Sequence, residues 1–160
     1  MRFMRSFIFV FIGALLIGLS SCWNGSKVAD KKKGLVIVNV LDKEYFDDSH
    51  IKGSINIPFV QVKQDTPNIV DKDAEVVMYC SNYMCSASGT ARKQLLDLGY
   101  KKVYVYEGGT AEWLQKGYPI TGLSKKEYLK MKLPKPEGKQ EDYVLSAEKL
   151  KKKMEENEII

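Results

Sequence analysis

Three short stretches of the chain are apolar almost without interruption, and most of their residues are β-branched or aromatic. They cover residues 35–40, 75–80 and 102–106. Apolar runs of this length that do not alternate with polar residues are typical of strands buried on both faces, as in a parallel sheet. The pattern therefore predicts a central parallel sheet, with a further short strand at residues 55–57 before Pro58.

In the segments between these runs, apolar residues recur at helical spacing. Apolar residues share one face of a helix predicted over residues 86–98: Ala87, Ala91, Leu95 and Leu98. Gly99 follows as its C-terminal cap. A strand, a helix and a second strand form a right-handed crossover between parallel strands. With shorter helices predicted at residues 42–47 and 110–116, the fold class is α/β, a single domain over residues 34–122 with a parallel sheet flanked by helices.

The last part of the chain, residues 123–160, is predicted to be a charged helical C-terminal extension. Residues 124–127 (Ser-Lys-Lys-Glu) have the pattern of a capping box, which predicts a short helix there. A second, strongly charged helix is predicted over residues 146–156, with Leu150 and Met154 on one face.

The N-terminus has the three parts of a bacterial lipoprotein signal in their usual order. Two arginines within residues 1–6 precede an apolar stretch at residues 7–19, which is shorter than the ~20 residues that span a bilayer as a helix. The sequence Leu19-Ser20-Ser21-Cys22 then resembles a lipobox, in which the cysteine thiol receives a diacylglyceryl group.

We therefore expect residues 1–21 to be a lipoprotein signal peptide, Cys22 to be lipidated and residues 22–33 to be a flexible tether. Membrane lipid would be a partner through Cys22. The protein would be a membrane-anchored lipoprotein of the cell envelope that faces the extracytoplasmic side, periplasmic or outer. An uncleaved signal anchor and ordinary secretion are the alternatives, and both also place the folded part outside the cytoplasm.

The net charge of +5 comes from the two ends of the chain. Residues 1–34 contribute +5 and residues 124–160 contribute +2, whereas residues 35–123 contribute −2. A mildly acidic domain gives no reason to expect a nucleic-acid partner.

Cys80 is expected to lie at the carboxyl end of a buried strand, six residues before a helix begins. Ligands of open α/β sheets bind at that edge. The N–H groups and dipole of a helix N-terminus would stabilise a thiolate there, so we expect Cys80 to lose its proton easily and to act as a nucleophile. The alternative is that Cys80 is a small buried apolar residue.

The segment after Cys80 is the candidate substrate-binding loop: Ser81, Asn82, Tyr83, Met84, Cys85 and Ser86. Tyr83 and Met84 could line its mouth. The chain has a single histidine, His50, and the only cysteines beyond Cys22 are Cys80 and Cys85, so no zinc site forms at the usual spacing. We expect neither a metal nor a cofactor.

Three motifs together resemble the rhodanese-like domains. They are Asp-Ser-His-Ile-Lys-Gly-Ser-Ile-Asn-Ile-Pro at residues 48–58, Val-Met-Tyr-Cys at residues 77–80, and Tyr-Glu-Gly-Gly at residues 106–109 followed by Trp113. The resemblance implies a sulfurtransferase in which Cys80 accepts sulfane sulfur as a persulfide. Its partners would be a small sulfane-sulfur donor and a thiol acceptor, either small or protein-borne.

The same resemblance assigns roles to residues around the loop. Cysteine phosphatases of similar architecture have Cys-x5-Arg, whereas position 86 is Ser, so phosphatase chemistry is not expected. His50 is expected to fix backbone groups in a turn. Gly108 and Gly109 are expected to let the backbone approach the Cys80 loop.

The chain departs from the family pattern in three places. Residues 39–41 read Asn-Val-Leu where the family usually has Asp-Val-Arg. Cys85 stands where many family loops have Arg, which favours a persulfide over thiosulfate as donor. The family's first helix precedes the first strand, and residues 144–150 look like that helix displaced to the C-terminus. It would either dock on the domain or be the stump of a second one.

Two other functions remain open. A thiol redox protein would use Cys80 and Cys85 together, with Cys85 as a resolving or modulating thiol. A binding module would keep the fold without turnover. The cysteine at the start of the loop favours the sulfurtransferase and the redox protein.

Overall fold

The computed structural model describes residues 30–132, 134–138 and 140–160. The predicted signal peptide, Cys22 and the first part of the predicted tether lie outside these residues. Within the described part of the chain, no helix combines the length and the apolar character needed to cross a membrane.

Six strands and five α-helices make up the described chain. In chain order the strands are β1 (Leu35–Asn39), β2 (Ser49–Ile51), β3 (Ile55–Asn56), β4 (Glu75–Tyr79), β5 (Lys102–Tyr106) and β6 (Ile120–Gly122). The helices are α1 (Lys43–Asp48), α2 (Val62–Ile69), α3 (Ala87–Asp97), α4 (Gly109–Gln115) and α5 (Ala147–Glu156). The 3-10 turns are Phe59–Gln61 and Glu127–Lys130.

Four strands form one parallel sheet in the order β3-β1-β4-β5. This confirms the predicted α/β class with its central parallel sheet. Asn39, Tyr79 and Tyr106 end the three longest strands side by side. Cys80 follows Tyr79 and therefore lies at the carboxyl edge of the sheet, as predicted.

Successive residues of the central strands point into two different apolar cores, which explains why the strands are continuously apolar. One core contains residues from β1, β4, α2 and α3: Val36, Val38, Val76, Met78, Val62 and Leu95. The other contains residues from β1, β4, α4 and α5: Ile37, Val77, Tyr79, Trp113, Leu150 and Met154. Since each large apolar side chain stabilises the fold by about 1.5–3 kcal/mol when buried, both faces of the sheet hold the domain together.

Several elements have no counterpart in the sequence-based prediction. α2 has only two buried residues, Val62 and Thr66, and contains Pro67, so its sequence lacks an apolar stripe. β2 and β6 pair antiparallel over three residues each, which is too short for an alternating pattern to be recognised.

The C-terminal extension packs against the domain. The Val105 amide donates to Tyr143 O over 2.9 Å, and the Leu145 amide donates to Val105 O over 2.8 Å, so this segment lies along the outer edge of β5. α5 then buries Leu150 and Met154 completely in the second core. Of the two alternatives for this helix, the structure has the docked one.

Two local predictions need correction. The predicted capping box at residues 124–127 is wrong, because the segment enters a 3-10 turn that is preceded by Lys126 without a side-chain cap, and Ser124 has a φ of +56°. The second correction concerns the predicted tether, because Lys32 within it is hydrogen-bonded to the domain. The Lys32 amide donates to Ile69 O over 2.8 Å, and the Asp71 amide donates to Lys32 O over 2.9 Å.

Candidate active site

Cys80 lies at the point where β4 ends, and its side chain is completely buried. Its thiol donates to the carbonyl oxygen of Cys85 over 3.1 Å. The hydroxyl of Ser88 lies 3.4 Å from Cys80 Sγ, and the backbone N–H of Ser88 also donates to this sulfur. Because Ser88 is in the first turn of α3, the predicted approach of a helix N-terminus to Cys80 is confirmed.

The loop from residue 80 to residue 86 is held in a tight curl by Asn82, whose side chain is buried. The Cys85 amide donates to Asn82 O, and the Met84 amide donates to Asn82 Oδ1, each over 3.0 Å. Ser86 then occupies the N-cap position of α3 without a side-chain cap, and it is exposed. The curl brings Cys85 back to Cys80.

The N-terminus of α4 supports the other side of the loop. The Thr110 amide donates to Cys80 O and the Ala111 amide to Ser81 O, each over 3.0 Å. Gly109 has a φ of +61°, and a Cβ at this position would lie 2.5 Å from Cys80 O. The predicted close approach of this glycine to the loop is therefore confirmed, and any larger residue would displace the loop.

Cys80 and Cys85 are both free thiols, and the Cys80 thiol donates to the backbone of Cys85. Interaction with the Cys85 thiol, followed by burial and the nearby Cys85 charge, raises the pKa of Cys80. Interaction with Cys80 is also the main reason why the pKa of Cys85 falls to about 5, and N–H groups of Ala87 and Ser81 contribute in the same direction. Burial and the neighbouring Cys85 thus act against the expected easy deprotonation of Cys80, whereas Ser88 acts in its favour.

A cavity of about 380 Å³ opens beside the loop. Tyr83, Met84, Cys85 and Ser86 line it, and Met84 is largely exposed. Its opposite wall contains residues from α3, from the end of β5 and from the C-terminal extension: Arg92, Lys93, Glu107, Pro136 and Tyr143. The structure thus brings four of the predicted loop residues to one cavity.

Arg92 and Lys93 supply positive charge that the sequence analysis did not place near the loop. Arg92 Nε donates to Val103 O over 2.8 Å, and the guanidinium lies 3.5 Å above the centre of the Tyr143 ring. Both basic residues follow the loop by about two turns of α3, so their position on the predicted helix was a usable signal.

Glu112 connects the loop to the rest of the domain. Tyr106 Oη donates to Glu112 Oε2 over 3.0 Å, and Lys135 Nζ lies 3.0 Å from Glu112 Oε1. Burial, and then the nearby Glu112 carboxylate, raise the pKa of Tyr83. Glu112 was not singled out from the sequence, since a lone glutamate on a short helix carries no distinguishing signal.

His50 has the structural role that was expected. Its Nδ1 lies 2.7 Å from Phe46 O, and its ring stacks on that of Phe46 at a centroid distance of 3.8 Å. Among the described residues, no group of three or more histidine, cysteine or acidic side chains is arranged to hold a metal ion.

A parallel α/β sheet whose cysteine-led loop curls against a helix N-terminus defines a class of cysteine-dependent domains that includes sulfurtransferases. Within this class, the family model for the rhodanese-like domain matches residues 26–116. The chain therefore belongs to the rhodanese-like domain family, as its three motifs indicated.

The relatives agree with this assignment. A protein named thiosulfate sulfurtransferase GlpE from Coxiella burnetii is 29% identical over 83 residues, which cover 52% of this chain and 75% of that protein. An uncharacterized protein YqhL from Bacillus subtilis is 34% identical over 77 residues, which cover 48% of this chain and 59% of that protein.

Solved structures show the same fold. A Bacillus halodurans protein matches with a TM-score of 0.53 and 26% identity, covering 57% of this chain and 66% of that one. A rhodanese-like domain from Anabaena matches with a TM-score of 0.51 and 23% identity, covering 54% of this chain and 98% of that one. The second similarity supports the fold alone.

Proposed function

We propose that this chain is a sulfurtransferase that carries sulfane sulfur as a persulfide on Cys80. The observation that carries the proposal is the set of donors around Cys80 Sγ, namely the hydroxyl and the backbone N–H of Ser88. Donors of this kind stabilise a sulfur anion, whether it is a thiolate or a persulfide. Membership of a family with named sulfurtransferases supports the same chemistry.

The reaction has two displacement steps. In the first, Cys80 Sγ attacks the sulfane sulfur of the donor. A bond forms between Cys80 Sγ and that sulfur, and the bond between that sulfur and the rest of the donor breaks. The leaving group takes the electron pair of the broken bond and the proton of the Cys80 thiol. In the second, an acceptor thiolate attacks the outer sulfur of the persulfide, and the electron pair returns to Cys80 Sγ. In both steps the Thr110 amide holds the backbone of Cys80 in place by donating a hydrogen bond to Cys80 O.

We propose persulfide-type donors in preference to thiosulfate. The loop of residues 81–86 contains no basic side chain to neutralise a small dianion. With persulfide donors, we expect a higher kcat/KM than with thiosulfate.

The test is thiocyanate formation from hydrogen polysulfide and cyanide. The parent protein and Cys85→Ser should both turn over, because each retains Cys80. The double variant Cys80→Ser, Cys85→Ser should fall to the uncatalysed rate, since it has no thiol in the loop. A parent protein without turnover, or a double variant as active as the parent, would contradict the proposal.

The second candidate function is a dithiol redox protein, which is favoured by the contact between the two free thiols. In this case Cys80 and Cys85 would cycle between dithiol and disulfide with a partner thiol, and no sulfur atom would be transferred. Turnover of polysulfide sulfur by Cys85→Ser argues against this alternative, because a single thiol cannot form the intramolecular disulfide.

We also propose that the domain works at a membrane of the cell envelope, anchored through Cys22. The proposal rests on the order of charged, apolar and lipobox segments in residues 1–22. A diacyl anchor supplies about 0.8 kcal/mol per buried CH₂. The Cys22→Ala variant should therefore be absent from the membrane fraction or remain unprocessed, and it should no longer incorporate labelled palmitate. Incorporation that survives this substitution would refute the anchor.

A further inference from the structure

The two loop cysteines differ in their access to the cavity. Cys80 has an exposed fraction of 0%, and it is not among the described residues that line the cavity. Cys85 lines the cavity and is half-buried. A donor bound in this cavity therefore lies against Cys85, whereas Cys80 is not part of the cavity wall.

Cys85 is also prepared to act as a nucleophile. Interaction with Cys80, and then with backbone N–H groups of Ala87 and Ser81, lowers the pKa of Cys85. The attacking species in sulfur exchange is the thiolate, which these groups stabilise.

The cavity suits a donor larger than a simple inorganic anion. Its volume of about 380 Å³ lies within the range of about 300–1,000 Å³ in which proteins bind small organic molecules. Its walls carry charges of both signs, from Arg92, Lys93 and Glu107, together with the aromatic rings of Tyr83 and Tyr143. Lys93 is exposed, and within the described chain neither Arg92 nor Lys93 forms an ion pair. These groups complement a zwitterion that has carboxylate and ammonium groups.

We propose that Cys85 takes sulfane sulfur from an amino-acid or short-peptide persulfide bound in this cavity and relays the sulfur to Cys80. This inference rests on the proposed function and adds to it the donor class and a second catalytic residue.

The relay has two redox-neutral steps. The Cys85 thiolate attacks the outer sulfur of the donor, R–S–SH, to give a Cys85 persulfide, and the thiolate R–S⁻ leaves with the electron pair. Cys80 Sγ then attacks the outer sulfur on Cys85. The bond from that sulfur to Cys85 breaks, its electron pair stays on Cys85 Sγ, and the proton of the Cys80 thiol passes to Cys85 Sγ. The sulfur ends at the buried Cys80, where Ser88 donates to it.

The test is a single-turnover loading experiment with glutathione persulfide, quenched at intervals with an alkylating agent. Tandem mass spectrometry shows whether the added sulfur is on Cys80, which precedes Asn82, or on Cys85, which follows it. In the parent protein, sulfur should appear first on Cys85 and then on Cys80. Cys80→Ser should stop with sulfur on Cys85. Cys85→Ser should load Cys80 slower by roughly tenfold or more, because the nucleophile at the cavity is missing.

Hydrogen polysulfide provides the control for folding of the variant. Because this donor is small, Cys85→Ser should still load from it. The relay is overturned if Cys85→Ser loads from glutathione persulfide as fast as the parent, or if Cys80→Ser gains no sulfur on Cys85. Failure of the parent to take up sulfur from either donor would instead overturn the proposed function.

The donor class is tested separately with Lys93→Ala and a matched control, Lys63→Ala, which removes an exposed charge from α2 outside the cavity. Lys93→Ala should raise the half-saturating concentration of glutathione persulfide about threefold, the effect of one solvent-exposed ion pair. Loading from polysulfide is measured for each variant as the reference, and the half-saturating concentration of glutathione persulfide relative to that of polysulfide should rise only in Lys93→Ala. Equal behaviour of the two lysine variants with glutathione persulfide would refute recognition by this cavity.

Discussion

Two thiols that stand five positions apart interact within the loop. Their interaction and the burial of Cys80 raise the pKa of Cys80, and the same interaction lowers the pKa of Cys85. A cysteine at the end of a parallel strand is recognisable from sequence. The direction of these pKa shifts is not, because it depends on the relative burial of the two sulfurs and on N–H groups that only the folded loop aims at them.

Replacement of Cys80 should change the titration of Cys85. In the parent, alkylation of Cys85 should reach half its maximal rate at about pH 5. The rate rises with pH because only the thiolate reacts. In Cys80→Ala, the largest cause of the low pKa is lost, so the midpoint should move towards the ordinary thiol value of about 8.5. Cys80→Ser keeps a hydroxyl donor and should move less.

The measurement is the rate of reaction with iodoacetamide as a function of pH, followed on the peptide that contains Cys85. A midpoint that stays in place in Cys80→Ala would show that Cys80 does not stabilise the Cys85 thiolate. A shift of equal size in Cys80→Ser and Cys80→Ala would show that hydrogen bonding from position 80 is not the cause.

Among the secondary-structure elements, α5 shows both what a sequence can predict and what it cannot. Ser146 is its N-cap and accepts from the Lys149 amide over 3.2 Å, so the start of the helix is evident from a local signal. Its place in the fold depends on the pairing of Val144 with Val105, nearly forty residues earlier, through a single bridge. No local pattern encodes such a contact.

α2, β2 and β6 were missed for a related reason. α2 is held by few buried side chains, and its start is set by the preceding 3-10 turn, whose last residue is Gln61. β2 is secured by long-range contacts, since the Ile51 amide donates to Tyr79 Oη over 3.1 Å. Tertiary contacts therefore define these elements more than their own periodicity does.

Leu150→Ala tests whether α5 belongs to the cooperative core. Leu150 is completely buried in the second core, so its truncation should lower the free energy of unfolding by about 2–5 kcal/mol. Lys149→Ala, an exposed position of the same helix, should change it by no more than about 0.5 kcal/mol. Urea denaturation measures both. An unchanged midpoint in Leu150→Ala would mean that α5 is detached from the folded unit in solution.

For the whole molecule, the extension performs two tasks at once. Residues 143–145 cover the edge of β5, which would otherwise expose unpaired backbone groups. Pro136 and Tyr143 form a wall of the cavity beside Cys85, and Lys135 reaches Glu112. The sequence predicted the α/β domain and the cysteine loop, because both rest on local runs and spacing. The contribution of the extension to the site required the three-dimensional structure.

The central claim is that Cys80 carries sulfane sulfur. The most direct measurement is the mass of the peptide that contains Cys80. The protein is purified without reductant and loaded with hydrogen polysulfide before this measurement. We predict that this peptide gains the mass of one sulfur atom, that fragmentation places the atom on Cys80, and that cyanide removes it. A peptide that instead loses two hydrogens would indicate a Cys80–Cys85 disulfide and a redox protein. An unmodified thiol would contradict sulfur transfer.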